Sequence, residues 1–192
     1  MLKQFTKGFA MLLVMIVLTG IAYPLVVTGL AQLLFPHQAN GSLAYKNGQV
    51  VGSQLIGQNF TDLKYFQPRP SAAGKDGYDA TASGGSNLGP TNKDFLNSVA
   101  ERANTIRQQN GLSSNQAVPS DLVTASASGL DPDLTPEGAM IQVPRIAKLR
   151  DLPVETVENL VRQDTTPRQL GIFGEPRVNV LRLNLGLDTL TK

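Results

Sequence analysis

The sequence contains no cysteine, no tryptophan and only one histidine, His37. A chain without cysteine forms no disulfide bonds, so its folded part depends on burial and hydrogen bonding for stability. Without cysteine or a second histidine, zinc sites and Cys–His or Ser–His nucleophilic catalysis are not expected from one chain. His37 lies just after an apolar run, and we interpret it as a polar residue at a membrane surface rather than as a ligand or base.

Charged residues are absent from residues 8 to 45, and residues 9 to 35 are almost entirely apolar. A membrane-spanning helix needs roughly 20 apolar residues, and this stretch would reach roughly 40 Å as a helix. We therefore predict a cytoplasmic N-terminus at 1–7, a transmembrane helix at 8–35 and an extracytoplasmic domain at 36–192. A cleaved signal peptide is the alternative, but its apolar region is usually about 7–15 residues long and precedes a small-residue cleavage site.

The few charges near this segment predict its direction through the membrane. Lys3 and Lys7 precede the apolar run without a nearby acid, and the next basic residue is Lys46. Positive flanks remain in the cytoplasm, so we expect the N-terminus inside and the rest of the chain outside. The chain has 17 basic and 15 acidic residues. Because Lys3 and Lys7 account for the excess, the rest is formally neutral, which argues against a nucleic-acid-binding role.

Two features of the apolar segment predict that it packs against other helices. Tyr23-Pro24 interrupts it, and because proline removes a main-chain donor, we expect a kink near Gly20. Small residues also recur at three- or four-residue spacing on one face, where they would let another helix approach closely. A lone anchor in lipid, with small residues placed by chance, is the alternative. The small residues of this face are Gly20, Pro24, Thr28 and Ala31.

Patterns after residue 36 predict a single mixed α+β domain. Asn47-Gly48, between short apolar stretches, predicts a β-hairpin because both turn positions favour a positive φ. Helices are expected where apolar residues recur every three or four positions. The first helix is expected to begin at Thr91, with Asp94 in a capping box, and to end at Gly111. The second begins at Thr135-Pro136 and is interrupted at Pro144, and the third runs from Pro153 to Gln163.

The C-terminal segment Arg177–Leu187 shows alternating apolar residues, which are typical of a β-strand. The alternation shifts by one at Val180-Leu181, and we expect a β-bulge there. Residues 67–92, by contrast, are rich in Gly, Ser, Pro and Asn and show no periodicity. A loop of this length inside a compact domain is usually functional or flexible.

Three local patterns are candidates for chemistry. Alternating residues from Asp131 to Glu137 resemble the start of a calcium loop, but Pro136 lies where that loop requires glycine, so we interpret them as turn formers and a helix cap. Residues 145–161 resemble a helix-turn-helix, yet the neutral domain makes a packed helix pair the better interpretation. The small residues Ser83–Asn87 could present main-chain N–H groups to an anion. The sequence has no phosphate-loop motif.

Several motifs together resemble one known family across nearly the whole chain. They are Tyr23-Pro24, Ala39–Ser42, Leu55–Phe60, Tyr65-Phe66, Arg69–Ala72, Ser83–Asn92, Leu122–Pro136, Gln142–Arg150 and Val178–Asp188. In this order they are similar to the C subunit of the bacterial Kdp potassium-transporting P-type ATPase, the KdpC family. One departure is Gly138, where the family pattern leads us to expect alanine.

The resemblance implies a non-catalytic subunit of an inner-membrane complex for high-affinity, ATP-driven potassium uptake. It implies three partners: a channel-like subunit that takes up K⁺, a P-type subunit that hydrolyses ATP through an aspartyl phosphate, and a small membrane subunit. ATP, Mg²⁺ and K⁺ would be handled by the complex, and this chain would need no cofactor of its own. Family members are described as catalytic chaperones that raise the ATP affinity of the hydrolysing subunit.

The same resemblance implies a nucleotide site, because one segment is similar to the signature loop of ABC-type ATPases. The charge pattern places this segment outside the cell, where ATP is scarce, so we expect a structural role and long-range coupling rather than direct contact. The domain would then cap the outer face of the channel-like subunit. An anchored extracytoplasmic binding module for a solute or envelope component is the alternative. The residues of the implied nucleotide site are Ser83, Gly84, Gly85, Ser86 and Asn87.

Overall fold

The structure is a computed structural model that describes residues 2–190, and the chain divides between Leu43 and Ala44 into two compact units. Residue 1 of the predicted range 1–7 and residues 191 and 192 of the predicted range 36–192 lie outside the described residues. The first unit consists of α1 (Leu2–Val17), a π-helical turn (Leu18–Ala22), α2 (Tyr23–Leu34) and the short α3 (Pro36–Ala39).

The helix Leu2–Leu34 has 33 residues and is long and apolar enough to cross a membrane. Its large apolar side chains are exposed along the whole length. A helix that is apolar on every side is typical of a segment surrounded by lipid or by other helices. The predicted fold class is confirmed: one N-terminal apolar helix is followed by a mixed α+β domain.

The predicted interruption at Tyr23-Pro24 takes the form of the π-helical turn. The N–H of Tyr23 donates to the carbonyl of Leu18, five residues earlier instead of four. Pro24 then lies in the first turn of α2, where its missing N–H costs least. A single wider turn therefore absorbs the proline without ending the helix.

The hairpin predicted at Asn47-Gly48 is confirmed. β1 (Leu43–Lys46) and β2 (Gln49–Ser53) form a two-stranded sheet. Asn47 and Gly48 both have positive φ values, 52° and 77°, as a type I′ turn requires. The chemistry of the turn therefore predicts this element correctly.

The first long helix of the domain starts and ends close to the predicted positions. α4 (Lys93–Asn110) ends before Gly111, whose φ of 65° stops the helix as predicted. The predicted cap at Thr91 is wrong by one residue, because the side chain of Asn92 accepts from the N–H of Phe95 at 3.0 Å. Asparagine caps at least as well as threonine, so the neighbouring residue takes the role.

Three further helices follow in the predicted order. Thr135 caps α5 (Pro136–Met140) by accepting from a main-chain N–H at 3.0 Å. α6 (Val143–Arg150) restarts with Pro144 in its first turn, where proline is well tolerated. α7 (Val154–Asp164) matches the expected third helix and packs on α6 as a helix pair.

A small antiparallel sheet joins distant parts of the domain. Its order is β3 (Asp133–Leu134), β5 (Arg177–Asn179) and β4 (Thr165–Thr166). The side chain of Val178 on the central strand is completely buried. Strand β5 is therefore paired with a neighbouring strand on each edge, and its central side chain is part of the core.

The strand predicted over Arg177–Leu187 is wrong beyond β5, because α8 (Val180–Leu190) starts directly after it. The side chain of Asn179 caps this helix by accepting from the N–H of Arg182 at 3.1 Å. The shift at Val180-Leu181, interpreted as a bulge, is the point where strand becomes helix. Residues that alternate in sequence also satisfy a helical spacing of three or four. The buried positions with that spacing are Val180, Leu183, Asn184 and Leu187.

One hydrophobic core holds the domain together, and Phe66 is the largest of its completely buried side chains. Phe66 comes from an irregular segment, whereas most of the core comes from α5–α8 and the sheet. Burying a large apolar side chain stabilises a domain by roughly 1.5–3 kcal/mol. The irregular segment is therefore an integral part of the fold. The other side chains with no exposed surface include Ile146, Val157, Val161, Leu183 and Leu187.

Candidate functional site

Two buried carboxamides hold the irregular segment around Phe66 against the helices. Asn184 on α8 accepts from the N–H of Phe66 at 2.8 Å and donates to its carbonyl at 3.0 Å. Gln142 does the same to the next residue, accepting from the N–H of Gln67 at 2.8 Å and donating to its carbonyl at 3.2 Å. These side chains satisfy main-chain groups that an irregular segment would otherwise bury without partners.

Arg145 on α6 binds the residues just before Phe66. Its buried guanidinium donates to the carbonyls of Leu63 and Tyr65 and to the side chains of Asn110 and Gln142. All of these acceptors are neutral, and burial lowers the pKa of Arg145 to about 10. The guanidinium therefore links α4, α6 and the irregular segment to one another.

Asp188 on α8 is the centre of a charged cluster beside Tyr65. Its carboxylate accepts from Lys46 at 2.6 Å, from Arg150 at 2.9 Å and from the Tyr65 hydroxyl at 3.1 Å. Arg150 also lies over the Tyr65 ring, 4.6 Å from its centroid. Burial disfavours the charged carboxylate, but the hydrogen bonds from these donors outweigh it and hold the pKa of Asp188 below its usual value.

The residues considered as a calcium loop form the predicted turn, and they also form ion pairs that the sequence did not predict. Asp131 accepts from the N–H of Asp133 at 3.0 Å in a turn. Asp131 also pairs with Arg69 at 2.7 Å, and Asp133 pairs with Arg177 at 3.0 Å. Among residues 2–190, no three acidic or histidine side chains are grouped as a metal site requires.

The implied nucleotide segment Ser83–Asn87 lies on the surface of the domain, against the loop that contains Ser128. The hydroxyl of Ser83 and the N–H of Gly84 both donate to the Ser128 carbonyl at 2.9 Å. A Cβ built on Gly85 would come within 3.1 Å of the main chain of that loop. Two donors that could meet a phosphate are therefore already occupied, while the last two residues of the segment are exposed.

A groove of about 600 Å³ runs beside this segment and is lined by Ser83, Arg69, Asp131 and the loop of residues 125–132. The two charged residues of this lining are paired with each other at 2.7 Å. A triphosphate needs uncompensated positive charge or free N–H donors. The positive charge that the groove could offer a polyphosphate is therefore already compensated.

The small residues of the predicted packing face lie on the exposed helix of the first unit. Gly20 is part of the π-helical turn, and Pro24, Thr28 and Ala31 follow on α2. A Cβ built on Gly20 would meet nothing within 4 Å. Its backbone is therefore open to the close approach of another helix.

The loop between β4 and β5 exposes an apolar surface that the sequence patterns did not predict. Leu170, Ile172 and Phe173, here called the apolar tip, are 88%, 72% and 62% exposed. Large apolar side chains grouped in this way on a surface often mark an interaction site. The signal in the sequence is Gly171 among them, because glycine readily adopts the positive φ of a tight turn.

Comparison with known proteins decides the family. The model of the family described as KdpC, the c chain of K⁺-transporting ATPases, matches residues 5–189. The chain belongs to the KdpC family. Residues 2–190 contain one helix long enough to cross a membrane, and the chain is a membrane-associated member of a family of potassium-transport subunits.

Relatives named as KdpC subunits of potassium-transporting ATPases are similar over nearly their whole length. The protein of Gemmatimonas aurantiaca is 56% identical over 191 residues, which cover 100% of this chain and 95% of the relative. The protein of Mycobacterium tuberculosis is 54% identical over 190 residues, covering 99% of this chain and 100% of the relative. The protein of Acidobacterium capsulatum is 58% identical over 174 residues, or 91% of each chain.

Proposed function

We propose that the chain is an accessory subunit of an ATP-driven potassium pump, which it helps to assemble. The match of the KdpC family to residues 5–189 carries this proposal, and the exposed apolar helix supports it. The proposed partners are a channel-like K⁺-binding subunit, a P-type ATP-hydrolysing subunit and a small membrane subunit. The assembled complex, rather than this chain, would handle ATP, Mg²⁺ and K⁺.

In this proposal the chain crosses the inner membrane once, with residues 1–7 in the cytoplasm and residues 36–192 outside. Lys3 and Lys7 support this direction, because basic flanks remain inside. Alkaline phosphatase, which is active only outside the cytoplasm, can be fused after Phe35 and, in a second fusion, after Lys192. Both fusions are expected to be active, and inactivity of both with normal expression would contradict the topology.

The helix face of Gly20, Pro24, Thr28 and Ala31 is proposed to pack against a membrane helix of a partner subunit. Gly20→Leu would fill the open backbone position and is expected to reduce co-purification of the other subunits. Gly29→Leu is the matched control, because Gly29 is equally open and lies away from this face by helical spacing. Equal effects of the two changes would contradict the assigned face.

The chain is further proposed to raise the ATP affinity of the hydrolysing subunit through coupling between conformational states, without touching the nucleotide. The bonds that Ser83 and Gly84 make to the Ser128 carbonyl support this view. The test is ATP binding to the full chain in detergent, compared with a Ser86→Ala/Asn87→Ala variant. Saturable micromolar binding that this variant abolishes would contradict the proposal and favour direct nucleotide contact.

A further inference from the structure

The geometry of the loop at residues 167–176, between β4 and β5, points to a docking element. We infer that its apolar tip inserts into an apolar hollow on another subunit of the same complex. This inference rests on the proposed function, because it requires that the chain assembles with such subunits. It goes further by naming the segment of the domain that makes the contact and the chemistry of the surface that receives it.

The loop is held in shape by its own hydrogen bonds. Gln169 and Phe173 exchange two main-chain hydrogen bonds, each of 2.9 Å, in an isolated antiparallel bridge. Below this bridge, Arg168 and Glu175 form an ion pair at 2.5 Å that closes the base of the loop. The apolar tip is therefore displayed by an ordered scaffold, which lowers the entropy that a partner would have to remove on binding.

Leu170 gains little stabilisation from its own domain. Its φ of 53° lies in the left-handed region, which glycine and asparagine adopt more readily than leucine. Its side chain is 88% exposed, so leucine gains almost no burial there. A large apolar residue with neither backbone fit nor burial in its own chain is explained if its packing partner belongs to another molecule.

The composition of the loop favours a protein surface over a lipid surface as the occupant. Segments that lie on membranes combine apolar residues with basic residues that attract anionic headgroups. The single basic residue of 167–176, Arg168, is paired with Glu175, so its positive charge is already compensated. The loop is thus electrically neutral and apolar at its tip, which complements an uncharged hollow.

The size of the apolar tip argues against a second copy of this chain as the partner. The three side chains offer on the order of 400 Å² of surface, whereas each partner in a stable pair of proteins contributes about 600–1,000 Å². The tip alone cannot hold a dimer together. It suits one contact among several in a larger complex, where a membrane helix supplies further association.

A photo-crosslinking experiment identifies the occupant directly. Phe173→p-benzoylphenylalanine is introduced into the full chain, which is expressed together with the other ATPase subunits of the same organism and irradiated in membranes. The expected product is a covalent adduct with an ATPase subunit identified by mass spectrometry. Adducts with lipid alone, adducts with a second copy alone, or no adduct would each overturn the inference.

Matched variants separate docking from folding. Leu170→Asn keeps or improves the turn geometry, and Ile172→Ser/Phe173→Ser removes the rest of the apolar tip. Both are expected to preserve thermal stability but to reduce the retention of other subunits at least tenfold in dilute washes, as loss of a hot spot would. The control is Leu96→Ser, which changes a leucine that is 51% exposed on α4.

The outcomes distinguish this inference from the proposed function. If the unaltered chain retains no ATPase subunit, the proposed function is wrong and the inference falls with it. If the unaltered chain retains the other subunits and the tip variants retain them equally well, only the inference is overturned. If Leu96→Ser causes the same loss as the tip variants, the specificity assigned to the tip is also overturned.

Discussion

Replacement of Asn184 by alanine should cost the domain a large part of its stability. The change removes both hydrogen bonds to Phe66, whose N–H and carbonyl then lie in the core without partners. Each buried main-chain group left unsatisfied costs about 1–3 kcal/mol, and the lost side chain leaves a small cavity, so we expect a total of about 3–5 kcal/mol. For a domain of this size, that loss corresponds to a fall in Tm of roughly 10 °C.

The assay is thermal unfolding of the full chain in detergent, together with hydrogen exchange at the amides of Phe66 and Gln67. Asn97→Ala is the matched control, because Asn97 lies exposed on α4 and its change should stay within about 0.5 kcal/mol. Faster exchange is expected at Phe66 in the Asn184 variant alone. A Tm indistinguishable from that of the control, with unchanged exchange at Phe66, would refute the stabilising role of the carboxamide.

Three further predictions concern single groups. Gly138→Ala, which restores the residue expected from the family pattern, should destabilise by about 1–3 kcal/mol in thermal unfolding, because its Cβ would lie 2.8 Å from the carboxylate of Asp121. Burial raises the pKa of Tyr78 to about 12, so an ultraviolet titration should show a late-titrating tyrosine that Tyr78→Phe removes; stability should fall as pH rises above the unfolded value of about 10. The pKa of Asp188 is held below its usual value, so its stabilising contribution should be present above about pH 4 and vanish as pH falls through the folded pKa. The difference in Tm between the unaltered chain and Asp188→Asn should narrow accordingly on acidification.

Elements with local causes could be predicted from the sequence. The hairpin follows from the turn chemistry of Asn47-Gly48, and the end of α4 follows from Gly111, because each depends on residues next to one another. The apolar helix follows from composition alone. The strand predicted over Arg177–Leu187 is wrong beyond β5 because its leucines satisfy a helical as well as an alternating pattern, and α8, capped by Asn179, forms there instead.

Contacts between distant residues could not be predicted in this way. The amide of Phe66 is satisfied by Asn184, 118 residues away. The residues next to Phe66 and Asn184 in the sequence do not predict this contact. Asparagine in the middle of a helix is usually explained as a solvent-facing residue, so its burial runs against propensity. The hydrogen bonds donated by Ser83 and Gly84 could not be predicted either, because the carbonyl that accepts them belongs to the distant residue Ser128.

The distribution of polar and apolar groups supports the proposed assembly role. Arg145, Arg150 and Asp188 would be natural candidates for chemistry, yet each binds groups within its own domain. The helix Leu2–Leu34 and the apolar tip, by contrast, expose large apolar side chains. Apolar surface left exposed in this way is available to neighbouring subunits, as the proposed assembly role requires. Changes in the buried polar groups should therefore impair function through stability, and changes in the exposed apolar residues should impair it while the fold stays intact.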